Sequence, residues 1–367
     1  MKTNEINNAR GVYPELCAHP RAVIAMSGGV DSSVAAALCL EQGYQCAGIT
    51  LKLYKGESSC CSLADVNDAR NVAFGLGMDH YVLNFTEEFD EKVVRHFIET
   101  YEAGGTPNPC IECNRHIKFN SLLLRACQLE FDYLVTGHYA RITKDNANGR
   151  YLLLKALDDK KDQSYVLYCL TQQQLSKTLF PLGSLSKNEV RKIAEDKKFI
   201  NAAKGESQDI CFVPDGDYGS FIENYTGKTY PHGDIIDLEG KVIGRHKGLI
   251  RYTIGQRRGL GVAANTPIYV AAKSAADNTV TLAADDNLYQ KSLSAEDINL
   301  IACEDLKKPM RVMVKTRYLQ TAQAAVAEQT GKDSLHVEFD SPQRAITPGQ
   351  AVVMYDGDIV VGGGTII

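Results

Sequence analysis

A short apolar run followed directly by two glycines constrains the fold of this chain most. The run from Ala22 to Met26 predicts a buried strand, and periodic apolar residues at 34–40 predict a helix that ends at Gly43. Between them lies Ser-Gly-Gly-Val-Asp-Ser, residues 27–32, called the phosphate loop below. Glycines permit a tight turn, and main-chain N–H groups at a helix N-terminus bind anions. The stretch therefore predicts a strand, a phosphate-binding loop and a helix.

Asp31 is the unexpected member of this loop, because a carboxylate repels phosphate. It suits the site if it binds Mg²⁺ or accepts a backbone N–H as a helix cap. The loop lacks the lysine of a Walker A motif and does not match G-x-G-x-x-G. The plain alternative is an ordinary strand-to-helix turn that contains glycine.

Strands alternate with helices up to about Asp215. The pattern predicts strands at 45–54, 80–85 and 133–136, and helices at 65–77, 86–103 and 187–198. This alternation indicates an α/β fold with a doubly wound parallel sheet, whose ligands bind at the carboxyl ends of the strands. Residues 27–33 and 137–139 both lie at such ends.

In the second half of the chain the helical periodicity fades, and glycines, prolines and short β-like runs become frequent. Strands are predicted at 279–283, 311–318, 334–339 and 351–355. We therefore predict an α/β domain over residues 1–218, a small central module over 219–290 and a C-terminal β-barrel over 291–367.

Composition limits the class of protein. Among the 367 residues are eleven cysteines, an odd number, and no stretch has the pattern of a signal peptide or a membrane span. We expect a cytoplasmic protein with reduced thiols and no membrane partner, rather than a disulfide scaffold. The net charge of −5 argues against indiscriminate nucleic-acid binding, although it permits a local basic face.

Two cysteine motifs are candidates for chemistry. Cys113 follows Thr-Pro-Asn-Pro-Cys-Ile-Glu and lies near a predicted helix N-terminus with Arg115, His116 and Lys118, which favour a thiolate. The alternative is half of a zinc site; its second half is missing unless the adjacent Cys60 and Cys61 supply it. Cys211 follows a polar loop, and its plain alternative is a buried core cysteine.

Several further motifs, taken in their order along the chain, resemble those of one protein family. They are T-P-N-P-x-x-x-C-N at 106–114, T-G-H-Y at 136–139, K-D-Q-S-Y at 161–165, I-C-F at 210–212, G-Q-R-R-G-L-G at 255–261 and T-P-G-Q at 347–350. Together with the phosphate loop, they resemble the tRNA-specific 2-thiouridylases, which are PP-loop ATP pyrophosphatases. The resemblance spans about residues 21 to 362. It implies that residues 1–218 form a PP-loop ATP-binding catalytic domain and that the central module at 219–290 binds tRNA.

The resemblance implies a substrate, a mechanism and a set of site residues. The wobble uridine of tRNA would be adenylated by ATP with release of pyrophosphate, Cys211 would carry sulfur as a persulfide, and Cys113 would release it and form a disulfide with Cys211. ATP, with Mg²⁺, would bind Ala25, Met26, Ser27, Gly28, Gly29, Val30, Asp31, Ser32, Leu51 and Gly137. The target base would meet Asn108, Pro109 and the neighbouring Cys110. Other contacts to tRNA would come from His138, Lys161, Asp162, Gln163, Arg317, Tyr318 and Gln350.

Cys110 departs from the family pattern, because many members have Asp at this position. Cys110, Cys113 and Cys211 could instead hold an iron–sulfur cluster, although no resident metal is predicted. Two other functions stay open: a PP-loop amide ligase that uses ammonia, and a non-catalytic ATP-dependent RNA-binding module. The expected partners are tRNAs for Lys, Glu and Gln, and a sulfur donor such as a cysteine desulfurase or a sulfur-carrier protein.

Two basic runs without acids lie in the second half of the chain and favour phosphate contacts. They contain Arg245, Lys247, Arg251, Arg257 and Arg258, and then Lys307, Lys308, Arg311, Lys315 and Arg317. For each residue taken singly, the alternative is ordinary solvated surface charge.

Overall fold

The computed structural model describes residues 20–54, 62–205 and 210–367. The described chain forms two compact units, each built from several stretches. Of the described residues, the first unit contains 20–54, 62–86, 114–205 and 358–360, and the second contains 87–113, 210–357 and 361–367. The predicted division at residues 218 and 290 follows the chain rather than these units, and it stays a prediction.

The described residues of the first unit form a five-stranded parallel sheet in the order β3-β2-β1-β4-β7, together with a hairpin of β5 and β6. The strands are β1 (Arg21–Ala25), β2 (Gln45–Lys52), β3 (Asp79–Asn84), β4 (Tyr133–Val135), β5 (Arg141–Lys144), β6 (Tyr151–Leu154) and β7 (Thr178–Leu179). The parallel sheet and its first strands are confirmed. The hairpin and β7 were not predicted, because they are too short to show a clear period.

The helices lie between these strands and at the start of the second unit. In chain order they are α1 (Val30–Glu41), α2 (Leu63–Gly75), α3 (Thr86–Phe89), α4 (Arg95–Glu102), α5 (Pro109–Glu112), α6 (Leu123–Gln128), α7 (Ser164–Leu167), α8 (Gln172–Ser176), α9 (Lys187–Asp196) and α10 (Tyr218–Thr226). Residues Asp90–Val94 and Cys113–Leu122 are π-helical, and Leu249–Arg251 and Asp285–Leu288 are 3₁₀ turns.

The core of the first unit explains why β1 and α1 meet at the phosphate loop. Ala22 and Ile24 of β1 are fully buried, and Ala35 and Ala36 of α1 are buried against the same cluster. Small side chains on α1 let the helix approach the sheet closely. The loop between the two elements is therefore held at the carboxyl edge of the sheet.

The described residues of the second unit form a four-stranded sheet, β10-β11-β8-β9, and an antiparallel barrel, β12-β15-β14-β13-β16-β17, which closes through β12 and β17. Its strands are β8 (Gly233–Ile236), β9 (Val242–His246), β10 (Tyr269–Ser274), β11 (Thr279–Ala283), β12 (Tyr289–Leu300), β13 (Met310–Lys315), β14 (Gln323–Gly331), β15 (Ser334–Arg344), β16 (Ala351–Asp356) and β17 (Ile359–Ile366). The predicted central module and C-terminal barrel are confirmed. Among the described helices, none has the length and apolar character that crossing a membrane requires.

Candidate active site

The phosphate loop turns sharply between β1 and α1. Gly28 has φ +76°, and a Cβ there would lie 2.3 Å from the carbonyl oxygen of Asp65, so only glycine fits. Gly29 precedes α1 in an extended conformation, and the hydroxyls of Ser32 and Ser33 donate to its carbonyl, each at 3.1 Å. The first main-chain N–H groups of a helix have no intrahelical acceptor, so the start of α1 is suited to bind a phosphate.

Two residues far from the phosphate loop along the chain donate hydrogen bonds to its backbone. Asn201, which is 3% exposed, donates to the Gly28 carbonyl at 2.9 Å, and Lys204 reaches the same carbonyl at 3.2 Å. Lys204 also pairs with Asp65 at 2.6 Å and with Asp68 at 2.7 Å. Burial would raise the pKa of Asp65, but the hydrogen bonds from Lys204 and Ser62 lower it. No sequence pattern pointed to Asn201 or Lys204.

Asp31 has an unpredicted partner. The Lys187 ammonium lies 2.7 and 2.8 Å from its two carboxylate oxygens, and the Tyr139 hydroxyl donates to it at 2.8 Å. Lys187 is the first residue of α9, which begins with a capping box of Ser186 and Glu189, a pattern that the sequence Ser-Lys-Asn-Glu also indicates. The lysine neutralises the carboxylate, so a negative residue is tolerated in a loop built for anions.

Gly137 brings the end of β4 against the same loop. A Cβ at Gly137 would lie 2.8 Å from both the Asp31 carbonyl carbon and the Ser32 nitrogen. Glycine is therefore required by the close approach of two backbones. Two predicted ATP-binding segments, the phosphate loop and Gly137, are adjacent in the first unit.

The next residues of the T-G-H-Y motif are packed into the protein. The His138 ring lies 5.8 Å from that of Phe119 and 5.9 Å from that of Phe180, and its Nδ1 is 2.7 Å from the Thr136 hydroxyl. Burial, and then the charge of Lys118, lower the pKa of His138 well below its usual value. The imidazole is therefore neutral at physiological pH.

The K-D-Q-S-Y motif supports this segment. Asp162 is buried and accepts hydrogen bonds from the Ala156 and Ser164 backbones and from the Ser164 hydroxyl. Gln163 accepts a bond from the Tyr139 backbone N–H at 2.9 Å. Both side chains thus order the loops beside Asp31, and their predicted tRNA contacts, with that of Lys161, stay predictions.

In the second unit, residues 104–109 form what we call the base loop. Gln350 donates to the carbonyls of Thr106, at 2.8 Å, and of Pro107, at 3.4 Å. The Asn108 side chain caps α5 by accepting from the Cys110 N–H at 3.2 Å. The side-chain amide of Gln350 thus holds the loop expected to meet the base, and its predicted tRNA contact stays a prediction.

The three candidate cysteines differ in exposure: Cys110 is exposed, Cys113 is buried and Cys211 is half-buried. Residues 20–54, 62–205 and 210–367 contain no group of three or more His, Cys, Asp or Glu side chains placed to hold a metal ion. Cys110, Cys113 and Cys211 thus do not form such a set in this arrangement. Cys60 and Cys61, and Glu206–Asp209 before Cys211, lie outside the described residues.

Phe212 fixes the chain directly after Cys211. It is 2% exposed, and its ring lies 5.7 Å from Phe89, 5.3 Å from Phe97 and 5.2 Å from Phe221. The contacts with Phe89 and Phe97 are edge-to-face, an arrangement that aromatic pairs prefer, and the contact with Phe221 is tilted. The position of Cys211 is therefore anchored from its C-terminal side.

Comparison with known proteins identifies the family. Three family models match successive segments: the tRNA methyl transferase HUP domain over residues 20–215, the tRNA methyl transferase PRC-barrel domain over 219–284, and the Aminomethyltransferase beta-barrel domain over 290–366. The tRNA-specific 2-thiouridylase MnmA of Clostridioides difficile is 48% identical over 352 residues, which cover 94% of this chain and 98% of that relative. The chain belongs to the tRNA-specific 2-thiouridylase family.

Other relatives agree with this assignment. The tRNA-specific 2-thiouridylase MnmA of Symbiobacterium thermophilum is 49% identical, over 94% of this chain and 92% of that relative. Among solved structures, the U34-tRNA thiolase NcsA from Methanococcus maripaludis, described with its 4Fe-4S cluster, is 18% identical with a TM-score of 0.36. That match covers 57% of this chain and 64% of NcsA, and it is too weak to inform function. The resemblance drawn from the motifs is confirmed, and membership of this family implies the use of ATP.

In this thiouridylase, several predicted RNA-binding cations have acidic partners. Arg251 pairs with Asp217 at 3.4 Å and with Glu223 at 2.6 Å, and Arg311 pairs with Asp340. The two runs contain no acid along the chain, but acids from other segments pair with some of their cations. The predicted phosphate contacts stay predictions. Arg257 and Arg258 are exposed and are the better candidates for phosphate contacts.

Arg317 has mainly main-chain partners. Its Nη2 donates to the carbonyls of Ile254, at 3.2 Å, and Ala345, at 2.9 Å, and to the Thr347 hydroxyl, at 2.9 Å. This arrangement joins a barrel loop to the central module. The tRNA contacts of Arg317 and Tyr318 stay predictions.

Proposed function

We propose that this protein forms 2-thiouridine at the wobble position of tRNA by adenylation followed by persulfide transfer. The observation that carries the proposal is the glycine-constrained phosphate loop, which has no lysine of its own and whose Asp31 is neutralised by Lys187. Such a loop suits cleavage of ATP between the α- and β-phosphates. The near-complete match to thiouridylases supports the choice of substrate.

In the first step, the 2-carbonyl oxygen of uridine attacks the α-phosphorus, the bond to the β-phosphate breaks, and pyrophosphate leaves. The carbonyl oxygen is a poor leaving group, and adenylation makes it a good one. The predicted ATP residues, from Ala25 to Ser32 with Leu51 and Gly137, would bind the nucleotide. Mg²⁺ would neutralise the departing pyrophosphate, with Asp31 as its proposed ligand.

In the second step, the terminal sulfur of a Cys211 persulfide attacks C2 of the adenylated base and AMP leaves. The Cys113 thiolate then attacks the Cys211 sulfur, the S–S bond of the persulfide breaks, and sulfur remains on the base. A Cys113–Cys211 disulfide results, which a dithiol reductant returns to two thiols. A cysteine desulfurase or a sulfur-carrier protein would supply the persulfide, and tRNAs for Lys, Glu and Gln would be the acceptors.

The test is mass spectrometry of tRNA nucleosides after incubation with ATP, Mg²⁺ and a persulfide source. Cys211→Ser should retain tRNA-dependent pyrophosphate release but lose sulfur loading and 2-thiouridine. Cys113→Ser should load the persulfide and fail to transfer it. Cys127→Ser is the control, because Cys127 is an exposed cysteine outside the proposed site. Full thiolation by Cys113→Ser would contradict the assignment.

The other functions give different outcomes. Asp31→Ala should abolish formation of AMP and pyrophosphate in a folded protein, and ADP as the main product would contradict the proposal. Pyrophosphate release without tRNA dependence would favour another PP-loop reaction, and no release would favour a binding module. Cys110→Ser should remain active; its inactivity, with iron in the parent protein, would favour the cluster mechanism.

A further inference from the structure

A half-buried lysine that the proposed mechanism does not use lies beside the base loop. Lys273 is on β10, and its Nζ donates to the Tyr252 carbonyl at 2.8 Å and to the Gly105 carbonyl at 3.3 Å. The same ammonium lies 5.9 Å from the centre of the Tyr101 ring. Lys273 therefore connects the central sheet to the first residues of the base loop.

Partial burial costs the Lys273 ammonium desolvation free energy, so packing alone does not explain a lysine at this position. Desolvation lowers the pKa of Lys273 to about 8. Both of its hydrogen-bond acceptors are main-chain carbonyls rather than carboxylates, so no opposite charge in these contacts offsets the desolvation. An apolar side chain would fill the same space without that penalty. What the lysine supplies is directional hydrogen bonding to the Gly105 carbonyl.

The next residues of the base loop are held equally firmly. The Thr106 N–H donates to the Pro348 carbonyl at 2.8 Å, and Gln350 bonds the Thr106 carbonyl. A Cβ at Gly105 would lie 2.8 Å from the Thr100 methyl, and one at Gly349 would lie 3.0 Å from the Thr106 nitrogen. The barrel and the central module thus both fix the loop, which leads within three residues to Asn108.

We propose that Lys273 is a positioning residue for thiolation, which holds the base loop so that Asn108 and Pro109 meet the target uridine. This inference rests on the proposed function, which assigns those two residues to the base. The carbonyl oxygen of the base has to approach the α-phosphorus to about 3–3.5 Å, and small displacements reduce the rate strongly.

The test compares Lys273→Met, Lys273→Arg and the control Lys241→Met. Lys241 is an exposed lysine in the turn between β8 and β9, outside the site. Lys273→Met should lower kcat for 2-thiouridine formation about tenfold or more, with the Kd for tRNA and the KM for ATP within about twofold of the parent. Lys273→Arg, which can still donate to both carbonyls, should recover activity to within about threefold. Lys241→Met should match the parent.

Each outcome decides the question. An unchanged kcat in Lys273→Met overturns the proposal, and so does a rise in the Kd for tRNA that accounts for the whole loss. If Lys273→Met does not fold, Lys273→Gln takes its place, because its amide can donate one hydrogen bond. The same criterion then applies: a lower kcat for thiolation with an unchanged Kd for tRNA. If the parent protein makes no 2-thiouridine, the proposed function fails; if the parent thiolates and both variants do too, only the role of Lys273 fails.

Discussion

The pairing of Lys187 with Asp31 predicts how strongly ATP binding depends on one lysine outside the phosphate loop. The two side chains are 11% and 32% exposed, and their charged atoms lie 2.7 Å apart. Lys187→Met keeps the side-chain length and removes the charge. Asp31 would then retain the Tyr139 hydroxyl, at 2.8 Å, but no compensating cation from Lys187.

The size of the effect follows from the electrostatics of the loop. Two unit charges about 4 Å apart interact by about 4 kcal/mol at an effective dielectric constant near 20. Because about a third of Asp31 is exposed, solvent screening reduces this to about 2 kcal/mol. Without Lys187, the Asp31 carboxylate should repel the triphosphate of ATP with a free energy of similar size. We expect the affinity for ATP to fall about 30-fold.

The assay is calorimetric titration with α,β-methylene ATP in the absence of Mg²⁺, which separates nucleotide binding from turnover and from the proposed ligation of Mg²⁺ by Asp31. Lys192→Met is the matched control, because Lys192 is exposed on the same helix, α9. The double variant Lys187→Met/Asp31→Asn removes both charges and should recover most of the lost affinity. A change below about threefold in Lys187→Met, or a double variant no better than the single one, would refute this reasoning.

Three further predictions follow from other parts of the structure. Replacing Arg257 and Arg258 by Ala should reduce the slope of log affinity for tRNA against log salt by about 1.5, measured by filter binding, and an unchanged slope would place the RNA face elsewhere. Phe212→Ala should destabilise the fold by about 3–5 kcal/mol in denaturant titration and slow sulfur loading, since a buried ring is lost; a loss below about 1 kcal/mol would contradict its anchoring role. Lys273 has a pKa of about 8 in the fold, below its ordinary value of 10.5, so the unfolded chain binds more protons between these two pH values. The free energy of unfolding should therefore gain up to about 3 kcal/mol from this group as the pH rises through that interval, a gain that Lys273→Met should lack.

Local features of the fold were readable from the sequence because the interactions that form them span only a few residues. The apolar run of β1, the glycine turn at Gly28 and the capping box of Ser186 and Glu189 each act within about one helical turn. β11 was predicted with its observed bounds, Thr279–Ala283, because β-branched residues and flanking turns mark it. The order of the motifs likewise identified the family and its candidate cysteines.

The partners of these residues were decided by tertiary structure. Lys187 is 156 positions from Asp31, and Lys273 is 168 positions from Gly105, so no local period connects them. The basic run around Arg311 contains no acid along the chain, yet Asp340 of β15 pairs with Arg311 in the fold. Sheet order and helix packing bring such groups together, and an ion pair or hydrogen bond depends on that distance in space rather than on spacing along the chain. The phosphate loop was therefore predictable from the sequence, whereas the charges and hydrogen bonds that make it usable were determined by the fold.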